Sequence, residues 1–444
     1  MKKNQSTQQL LVAAAIAASF SPAAFAQNQA AELPASEGVY TLTAPASASK
    51  ISATAYELTG TSISGSAVPS ATMLTAPTGN AAPFKTESGI YLYPTVFLGV
   101  GHNDNLQTSS TNQISSSLVN FAPQLVAELK NKGDRFTALA SLNNVNYASS
   151  SSDNTTNYEV QLAGDHYFTA RARGAWSVGQ VRSTDVRGAN NRAVSAEPDR
   201  WTSNNVDGRF VYGAAEAQGR IEVDLGNQDK TYTNNRANTA VADVSVGSFA
   251  SRLFYRLGSR SLALIEYRNA NAKYASNLST DSNTEQRYYA GLTWDATAAT
   301  TGIVKIGRMT KDFTAPREGY SGASWEAAVR WSPRTYSVFE LQTSRSTADS
   351  SGFGTYALNT GTNLTWNHKW NQSFTTRAAL GLLNTDFGGT TRSDTTTTYA
   401  LTADYALRRW LTVGVDFART DNSSNVATSE YKRNVTMLTL NASL

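Results

Sequence analysis

Apolar and polar residues alternate along most of the chain, from Gly89 to its end. In segments such as 158–162 and 221–225, aliphatic or aromatic side chains occupy every second position, with charged or amide side chains between them. A period of two over roughly 8 to 12 residues is typical of a tilted strand that crosses a membrane, with one face toward lipid and the other toward water. The pattern therefore predicts a succession of membrane-crossing strands.

Two kinds of connection alternate between these strands. Short turns are predicted at eight places: 131–134, 168–171, 213–216, 257–260, 296–300, 333–335, 370–372 and 407–409. Longer polar loops are predicted at nine places: 107–114, 149–156, 183–200, 228–238, 274–283, 313–319, 347–352, 387–394 and 421–430. Eight turns and nine loops make 17 connections, hence 18 strands. Since outer-membrane barrels have short periplasmic turns and long extracellular loops, we predict an all-β fold, a transmembrane antiparallel β-barrel of about 18 strands over residues 87–444.

Four tryptophans agree with this topology. Trp294, Trp331, Trp370 and Trp410 all lie beside short turns, where an aromatic girdle meets the membrane surface. A soluble β-propeller is the main alternative, but it would place four strands in each repeat of about 40 residues, where this chain has two.

The two ends of the chain carry export and assembly signals. Lys2 and Lys3 precede an apolar run at 10–20 and a small-residue site at 24–26, so residues 1–26 are predicted to be a signal peptide. Its removal takes away two lysines and lowers the net charge from +4 to +2. The segment 434–444 ends inside a predicted strand, and a terminal strand of this type is the signal that the barrel assembly machinery recognises. Its last residue is leucine, whereas such strands usually end in an aromatic.

Residues 27–86 are rich in Ala, Ser, Thr and Pro and show no sustained period. Such a composition cannot bury enough apolar area to offset the entropy of ordering, so a flexible periplasmic segment is predicted. A small β-domain built from residues 38–56 is the alternative.

Composition excludes several classes of protein. The chain has no cysteine, which excludes disulfides, thiolate metal sites and a lipidated cysteine anchor. After the predicted signal no apolar run approaches the length of a membrane-spanning helix. The weak net charge gives no reason to expect a nucleic acid partner, and the expected surroundings are outer-membrane lipid.

Charged residues at the polar positions of the strands predict a barrel lumen. Both signs occur, and buried charge in a membrane protein marks a water-filled path or a salt-bridged interior. The arginines could serve an anionic or hydroxyl-rich solute, or the charges could simply neutralise one another along the wall. The candidates are Arg171, Arg173, Arg209, Arg220, Glu222, Asp224, Glu266, Arg268, Glu326, Arg330, Arg377, Asp404 and Asp416.

The sequence motifs give little indication of a catalytic or metal-binding site. The three histidines, His102, His166 and His368, are not accompanied by a GxSxG or HExxH motif, so no catalytic residue and no cofactor is predicted. The stretch HNDN at 102–105 offers too few oxygen ligands for calcium and only one histidine for a transition metal, although an ion shared with other loops stays open.

The first two strands, in YPTVFLGVGHNDNLQ and FAPQLVAEL, resemble the β-barrel porin family found with exopolysaccharide and capsule export systems (EpsL-like). Pro94, Asp104, Asn105 and Pro123 carry the resemblance, whereas His102 and Asn103 replace the aromatic and first acidic positions of the motif. The resemblance implies an outer-membrane step in polysaccharide secretion, with a periplasmic or inner-membrane partner that delivers the polysaccharide.

Three functions remain: a conduit for a secreted polysaccharide, a general or selective diffusion porin, and a barrel enzyme. A porin commonly folds one long loop into its lumen, and the best candidate is 183–200, with Arg187, Arg192 and Arg200. The alternative for these arginines is a solvated rim. The proline in the first strand predicts a bulge or an unpaired position there, because a closed barrel pairs its first strand with its last.

Overall fold

The computed structural model describes residues 83–185, 187, 195–214, 216–297, 299–314, 316–350 and 352–443. The predicted signal peptide, residues 27–82, Arg192 and Leu444 lie outside this part of the chain.

Strands dominate the described residues. They are β1 (Phe84–Lys85), β2 (Tyr91–Asn103), β3 (Ser116–Asn131), β4 (Asp134–Tyr147), β5 (Thr155–Tyr167), β6 (Ala172–Asp185), β7 (Asp199–Tyr212), β8 (Gly219–Tyr232), β9 (Val244–Gly258), β10 (Ser261–Tyr274), β11 (Asn283–Thr297), β12 (Thr300–Phe313), β13 (Tyr320–Arg334), β14 (Ser337–Asp349), β15 (Tyr356–Lys369), β16 (Phe374–Phe387), β17 (Ser393–Arg408), β18 (Leu411–Ser424) and β19 (Tyr431–Ser443).

Helix is confined to short pieces in the long loops. One turn of α-helix, α1, spans Arg236–Thr239, and 3₁₀ turns span Ser151–Asp153, Ala240–Ala242 and Ala427–Ser429. Among the described residues, no helix has the length and apolar character needed to cross a membrane.

Strands β2 to β19 form one closed antiparallel barrel. Each pairs with its neighbour in the chain, and β19 pairs with β2 from Val435 opposite Asn103 to Ser443 opposite Thr95. The prediction of an 18-strand barrel is confirmed. The short strand β1 lies outside the ring and pairs with β2, with Phe84 opposite Leu92.

The alternation of the sequence separates two faces of the wall. On one face large apolar side chains such as Val100 and Phe121 are exposed; on the other, alternate positions such as Phe97 and Leu118 are buried. On the buried face Arg268 of β10 reaches Glu326 of β13 at 2.6 Å. Neighbouring strands lie about 4.8 Å apart, so these strands are roughly 14 Å apart along the wall, and side chains meet over that span only on a concave surface. The buried face is therefore the inside of the barrel.

Following the predicted topology, we call the short-turn end of the barrel periplasmic and the long-loop end extracellular. The outer face carries an aromatic girdle at the short-turn ends of β13 to β16. Trp331 stacks on Phe339 at 5.3 Å, Phe339 on Trp366 at 6.1 Å, and Trp370 lies 4.4 Å from His368, all measured between ring centroids. Trp331 and Trp370 are half exposed. This is the arrangement expected at a membrane surface, and it gives His368 a position within the girdle.

Both prolines of the first two strands fall where a ladder is interrupted or begins. The β3–β4 ladder lacks pairs at Ala122 and Pro123. The described ladder between β2 and β19 starts at Thr95, one residue after Pro94. A proline has no N–H to donate, which restricts it to such positions.

Strand β8 continues beyond its predicted end. The sequence predicts a loop at 228–238, but β8 runs to Tyr232 and the connection occupies 233–243. Asp229, Lys230 and Thr231 are polar, and they still pair with β7. The ladder thus extends past the apolar band into water. Both faces of the strand are solvated there, so polar residues on either face carry no desolvation cost and the sequence shows no alternation that would mark the strand.

Candidate functional site: the inner wall

The inner face of β7 to β13 carries a continuous network of ion pairs, here called the charged arc. Each of its basic side chains has a carboxylate oxygen within 3.9 Å. The members are Arg209, Arg220, Glu222, Asp224, Arg252, Glu266, Arg268, Glu285, Arg287, Lys305, Lys311 and Glu326.

Strand register explains the network. Glu222 lies opposite Arg252, Arg252 opposite Glu266, and Lys305 opposite Glu326. Glu326 accepts hydrogen bonds from both terminal nitrogens of Arg268, at 2.6 and 2.9 Å. Each acidic side chain serves several cations, so charge is compensated along the wall; a buried ion that lost its partners would be costly.

Of the predicted lumen residues, those in strands share the inner face. They are Arg173, Arg209, Arg220, Glu222, Asp224, Glu266, Arg268, Glu326, Arg330, Arg377, Asp404 and Asp416. Arg171 differs: it precedes β6 in the short β5–β6 turn and is exposed. The alternation that assigns it to the inside does not apply in a turn, where the backbone is no longer pleated.

These predicted residues do not form one group. Arg173 pairs with Asp165 at 2.7 Å near the periplasmic end of β6. Arg330 lies 3.9 Å from Glu340. Arg377, Asp404 and Asp416 lie on β16 to β18, away from the charged arc.

The extracellular end of β14 leaves its neighbour β13 and folds inward, while β15 stays paired with β16 as far as Ala357 opposite Phe387. The β13–β14 ladder stops at Trp325 opposite Arg345, so residues 320–324 of β13 have no partner on β14. The inward-facing hydroxyl of Ser324 instead donates to the backbone carbonyl of Arg345 at 2.7 Å. Beyond this point β14 continues to pair with β15. We call residues 346–358, of which 351 is not described, the inner hairpin.

A polar clasp holds the inner hairpin against the far wall. Asp349 of β14 accepts a hydrogen bond from the Tyr274 hydroxyl of β10 at 2.6 Å and from the Asn283 amide of β11 at 3.0 Å, and it pairs with Lys311 of β12. Strands β10 and β14 are four apart, about 19 Å along the wall. Contact between them requires the end of β14 to lie over the inner face of β11 and β12.

Apolar contacts also hold the inner hairpin in place. Tyr356 and Leu358 pack on Met309 of β12, and the Tyr356 ring meets that of Tyr320 at 5.6 Å. On its other face Ala348 and Ala357 pack with Phe387 of β16. Both faces are buried, as expected of an element enclosed by the barrel.

A different structure seals the seam where β19 meets β2. Here the inner face carries an apolar cluster, which we call the seam arc: Phe97, Leu118, Ala122, Val145, Tyr147, Val435 and Met437. Leu106, from the loop that follows β2, packs into the same cluster and is 2% exposed. The loop therefore turns inward over the seam instead of extending into water.

Asp104 and Asn105, two of the residues that carry the family resemblance, tie this loop to the last strand. The carboxylate of Asp104 accepts hydrogen bonds from the backbone and side-chain nitrogens of Asn434, at 2.7 and 2.6 Å. The buried Asn105 amide donates to the carbonyls of Ser109 at 2.8 Å and Lys432 at 2.9 Å. The motif residues bridge positions more than 300 residues apart in sequence and close the barrel at its extracellular end.

The arginines of the predicted constriction loop bind other loop residues. Arg187 donates to Asp153 at 2.7 Å, which joins the β6–β7 loop to the β4–β5 loop, and Arg200 pairs with Glu197 at 2.8 Å. Arg192 is not among the described residues. Burial opposes the charge on Asp153, but hydrogen bonds from Arg187 and from the Ser150 hydroxyl outweigh it and lower the pKa of Asp153 below its ordinary value.

Several residues of the site were not predicted. Arg252, Lys305 and Lys311 follow the same alternation as the predicted set, so a stricter count of positions on β9 and β12 would have found them. Asp349 and Tyr274 could not be found that way, because their contact depends on the end of β14 leaving β13. No group of metal-ligating side chains occurs among the described residues. His102 lies at the extracellular end of β2 with its side chain exposed.

Comparison with known proteins adds the following. Residues 88–444 match the family model described as "Putative beta-barrel porin 2". No protein with a curated description matches the chain.

Three of the solved structures that match this chain are the following. OccK2 (OpdF) of Pseudomonas aeruginosa, in complex with glucuronate, has 11% identity and a TM-score of 0.47, over 81% of this chain and 100% of that one. The outer membrane protein opdK of the same organism has 11% identity and a TM-score of 0.47, over 80% and 99%. The FrpB iron transporter of Neisseria meningitidis has 11% identity and a TM-score of 0.44, over 74% of this chain and 62% of that one.

Proposed function

Since the chain belongs to the family described as "Putative beta-barrel porin 2", we propose that it is an outer-membrane channel for hydroxyl-rich solutes without net charge, saccharides above all. The proposal takes the diffusion porin as its general form. It assigns no catalytic residue and no cofactor.

Charge compensation along the inner wall is the observation that carries the choice of solute. A channel for anions needs cations that are free to bind them, as in rings of Arg or Lys side chains. In the charged arc the arginines are instead committed to carboxylates, as Arg209 is to Asp224 at 2.6 Å and Arg287 to Glu285 at 2.5 Å. The arc holds seven cations and five carboxylates, and each cation is paired, so this wall offers hydrogen-bonding groups already bound to one another, which suits a polar, uncharged solute.

The inner hairpin is the proposed constriction of this channel. It crosses the inner face at the extracellular half of the barrel, and the clasp at Asp349 fixes its position. A short, tethered segment across a wide barrel narrows the route without closing the wall. This role replaces the one that the sequence suggested for residues 183–200.

Planar-bilayer recording of the full-length protein tests both points. We expect discrete conductance steps with weak ion selectivity, reduced by neutral oligosaccharides added to the bath. Asp349→Ala removes the clasp and leaves Lys311 without its nearest carboxylate, so the hairpin should become mobile and the conductance larger and noisier. Asp421→Ala is the matched control, because Asp421 pairs with Arg419 at the extracellular rim. Absence of any conductance would contradict the channel, and equal conductance in both variants would contradict the constriction.

The finer proposal is that the saccharide is a secreted polysaccharide, delivered by a periplasmic partner. It rests on the resemblance of the first two strands, at Pro94, Asp104, Asn105 and Pro123, to barrels found with polysaccharide export systems. In a strain that lacks this protein, extracellular polysaccharide should fall while the intracellular or periplasmic pool rises, and the wild-type gene should restore secretion. Normal secretion in that strain would contradict a role in polysaccharide secretion and leave the diffusion channel as the proposed function.

A further inference from the structure

Two cations on the outer face, Arg308 and Arg345, differ from those of the charged arc. On β12 the exposed apolar positions Val304 and Ile306 are followed toward the extracellular end by Arg308. On β14 the exposed Leu341 is followed, two outward positions later, by Arg345. Both arginines therefore lie where the lipid-facing band ends on the side of the long loops.

The two arginines flank one short stretch of β13. Arg308 lies opposite Ala323, and Arg345 lies opposite Trp325. Their strands are two apart, about 10 Å along the wall, so two long side chains can reach one group between them. Arg308 donates to the Ser321 hydroxyl at 2.8 Å, and the Arg345 guanidinium lies 5.4 Å from the centre of the Trp325 ring.

Neither arginine has a carboxylate partner among the described residues. Within the described part of the chain no acidic side chain forms an ion pair with Arg308 or Arg345, and the Nε of Arg345 is buried without a hydrogen-bond acceptor. Every cation of the charged arc, by contrast, meets at least one carboxylate. Uncompensated positive charge at the edge of a lipid band calls for an anion from outside the chain.

We propose that Arg308 and Arg345 bind the phosphate of a phosphorylated lipid headgroup in the extracellular leaflet. Arginine presents a planar fork of donors that matches a phosphate, and basic residues near a membrane surface favour anionic lipid. A lipid is the fitting source because Ile306 and Val304 continue directly below the pair and offer an apolar surface for an acyl chain. Trp325 supplies the interfacial aromatic contact between the two. The inference does not depend on what the channel passes.

Native mass spectrometry of the full-length protein in detergent tests the site. The probes are lipid A with two phosphates, the same lipid without phosphate, and inorganic phosphate. Arg308→Gln with Arg345→Gln should weaken binding of the phosphorylated lipid at least about tenfold and leave the dephosphorylated lipid unaffected. Arg408→Gln with Arg409→Gln removes the same charge from the periplasmic rim and should bind like the wild type.

Three results would overturn the proposal: equal affinity of both double variants, equal binding of the two lipids by the wild type, or binding of inorganic phosphate as tight as that of the lipid. Heat-dependent migration in SDS gels establishes that each variant is folded. If the double variant does not fold, Arg345→Gln alone is used, because it leaves the Arg308 contact with Ser321 in place. This variant should weaken binding of the phosphorylated lipid and leave binding of the dephosphorylated lipid unchanged.

Discussion

The charged arc and the seam arc line the same barrel but are stabilised by opposite means. In the charged arc the side chains of the wall satisfy one another, as in the pairs of Glu266 with Arg252, Arg268 and Lys305. In the seam arc the wall is apolar and a loop residue, Leu106, covers it. Inner positions of a barrel can therefore be satisfied either by mutual pairing or by an inserted segment.

The location of each arc follows from what the strands must do there. Between β7 and β13 every strand pairs with its sequence neighbour, and local register brings opposite charges together. At the seam, by contrast, β2 must pair with β19, which lies at the other end of the barrel sequence. Apolar packing and the bonds from Asp104 and Asn105 to β19 supply contacts specific to that closure. We infer that the charged arc stabilises the pairing of neighbouring strands in the wall, and that the seam arc stabilises the closure between the first and last strands.

The largest effect is expected in the charged arc, from Glu326→Ala. This change leaves Arg268 and Lys305 inside the barrel with fewer partners, and removal of one member of a buried ion network costs roughly 3–5 kcal/mol. Urea unfolding from lipid vesicles measures the loss. Glu340→Ala is the control, since Glu340 is partly exposed and lies 3.9 Å from Arg330; it should cost at most about 1 kcal/mol. Equal losses in the two variants would mean that the network does not stabilise the wall.

The seam arc should respond to Leu106→Ala. Truncation of a buried leucine opens a cavity and costs about 3 kcal/mol, within the usual range. The same assay measures it, with Leu278→Ala as control, because Leu278 lies in another long loop and is 84% exposed. The comparison between the arcs would fail if Leu106→Ala were as mild as Leu278→Ala, since the loop would then not seal the seam.

A smaller effect is expected from Asp104→Ala, which removes both side-chain hydrogen bonds to Asn434. Hydrogen bonds to a charged group contribute about 2 kcal/mol. If these bonds act at closure, the variant should also fold more slowly into vesicles, measured as the rate at which the heat-modifiable band appears. Asp386→Ala is the control, because among the described residues its carboxylate accepts a hydrogen bond from exposed Ser393 alone. Unchanged folding rate and stability would limit Asp104 to shaping the turn.

The alternation of residues predicted the strands, the turns and the inward set because each depends only on nearby sequence. Arg209 and Asp224 could be assigned to one face from the period of two alone. The inward fold of the inner hairpin could not, because its strands alternate like any others, and the departure of β14 from β13 is seen only in their interrupted ladder and in the contact between Tyr274 and Asp349. The role of Asn105 was equally hidden, since its partner Lys432 lies at the other end of the barrel sequence.

The smallest effect concerns the loops above both arcs, where Arg187 pairs with Asp153. The pKa of Asp153 is lowered in the folded protein, so the pair stabilises the fold above the ordinary pKa of aspartate, near 4, and loses that contribution as the pH falls through the lowered value. Arg187→Gln should therefore cost about 1 kcal/mol at neutral pH, the upper range for such pairs, and progressively less below about pH 4. Urea unfolding of both proteins between neutral and acid pH measures the difference. A cost that stayed constant across this range would show that Arg187 acts through its hydrogen bonds to Ser152 and the Ala196 carbonyl, which do not titrate, rather than through the charge of Asp153.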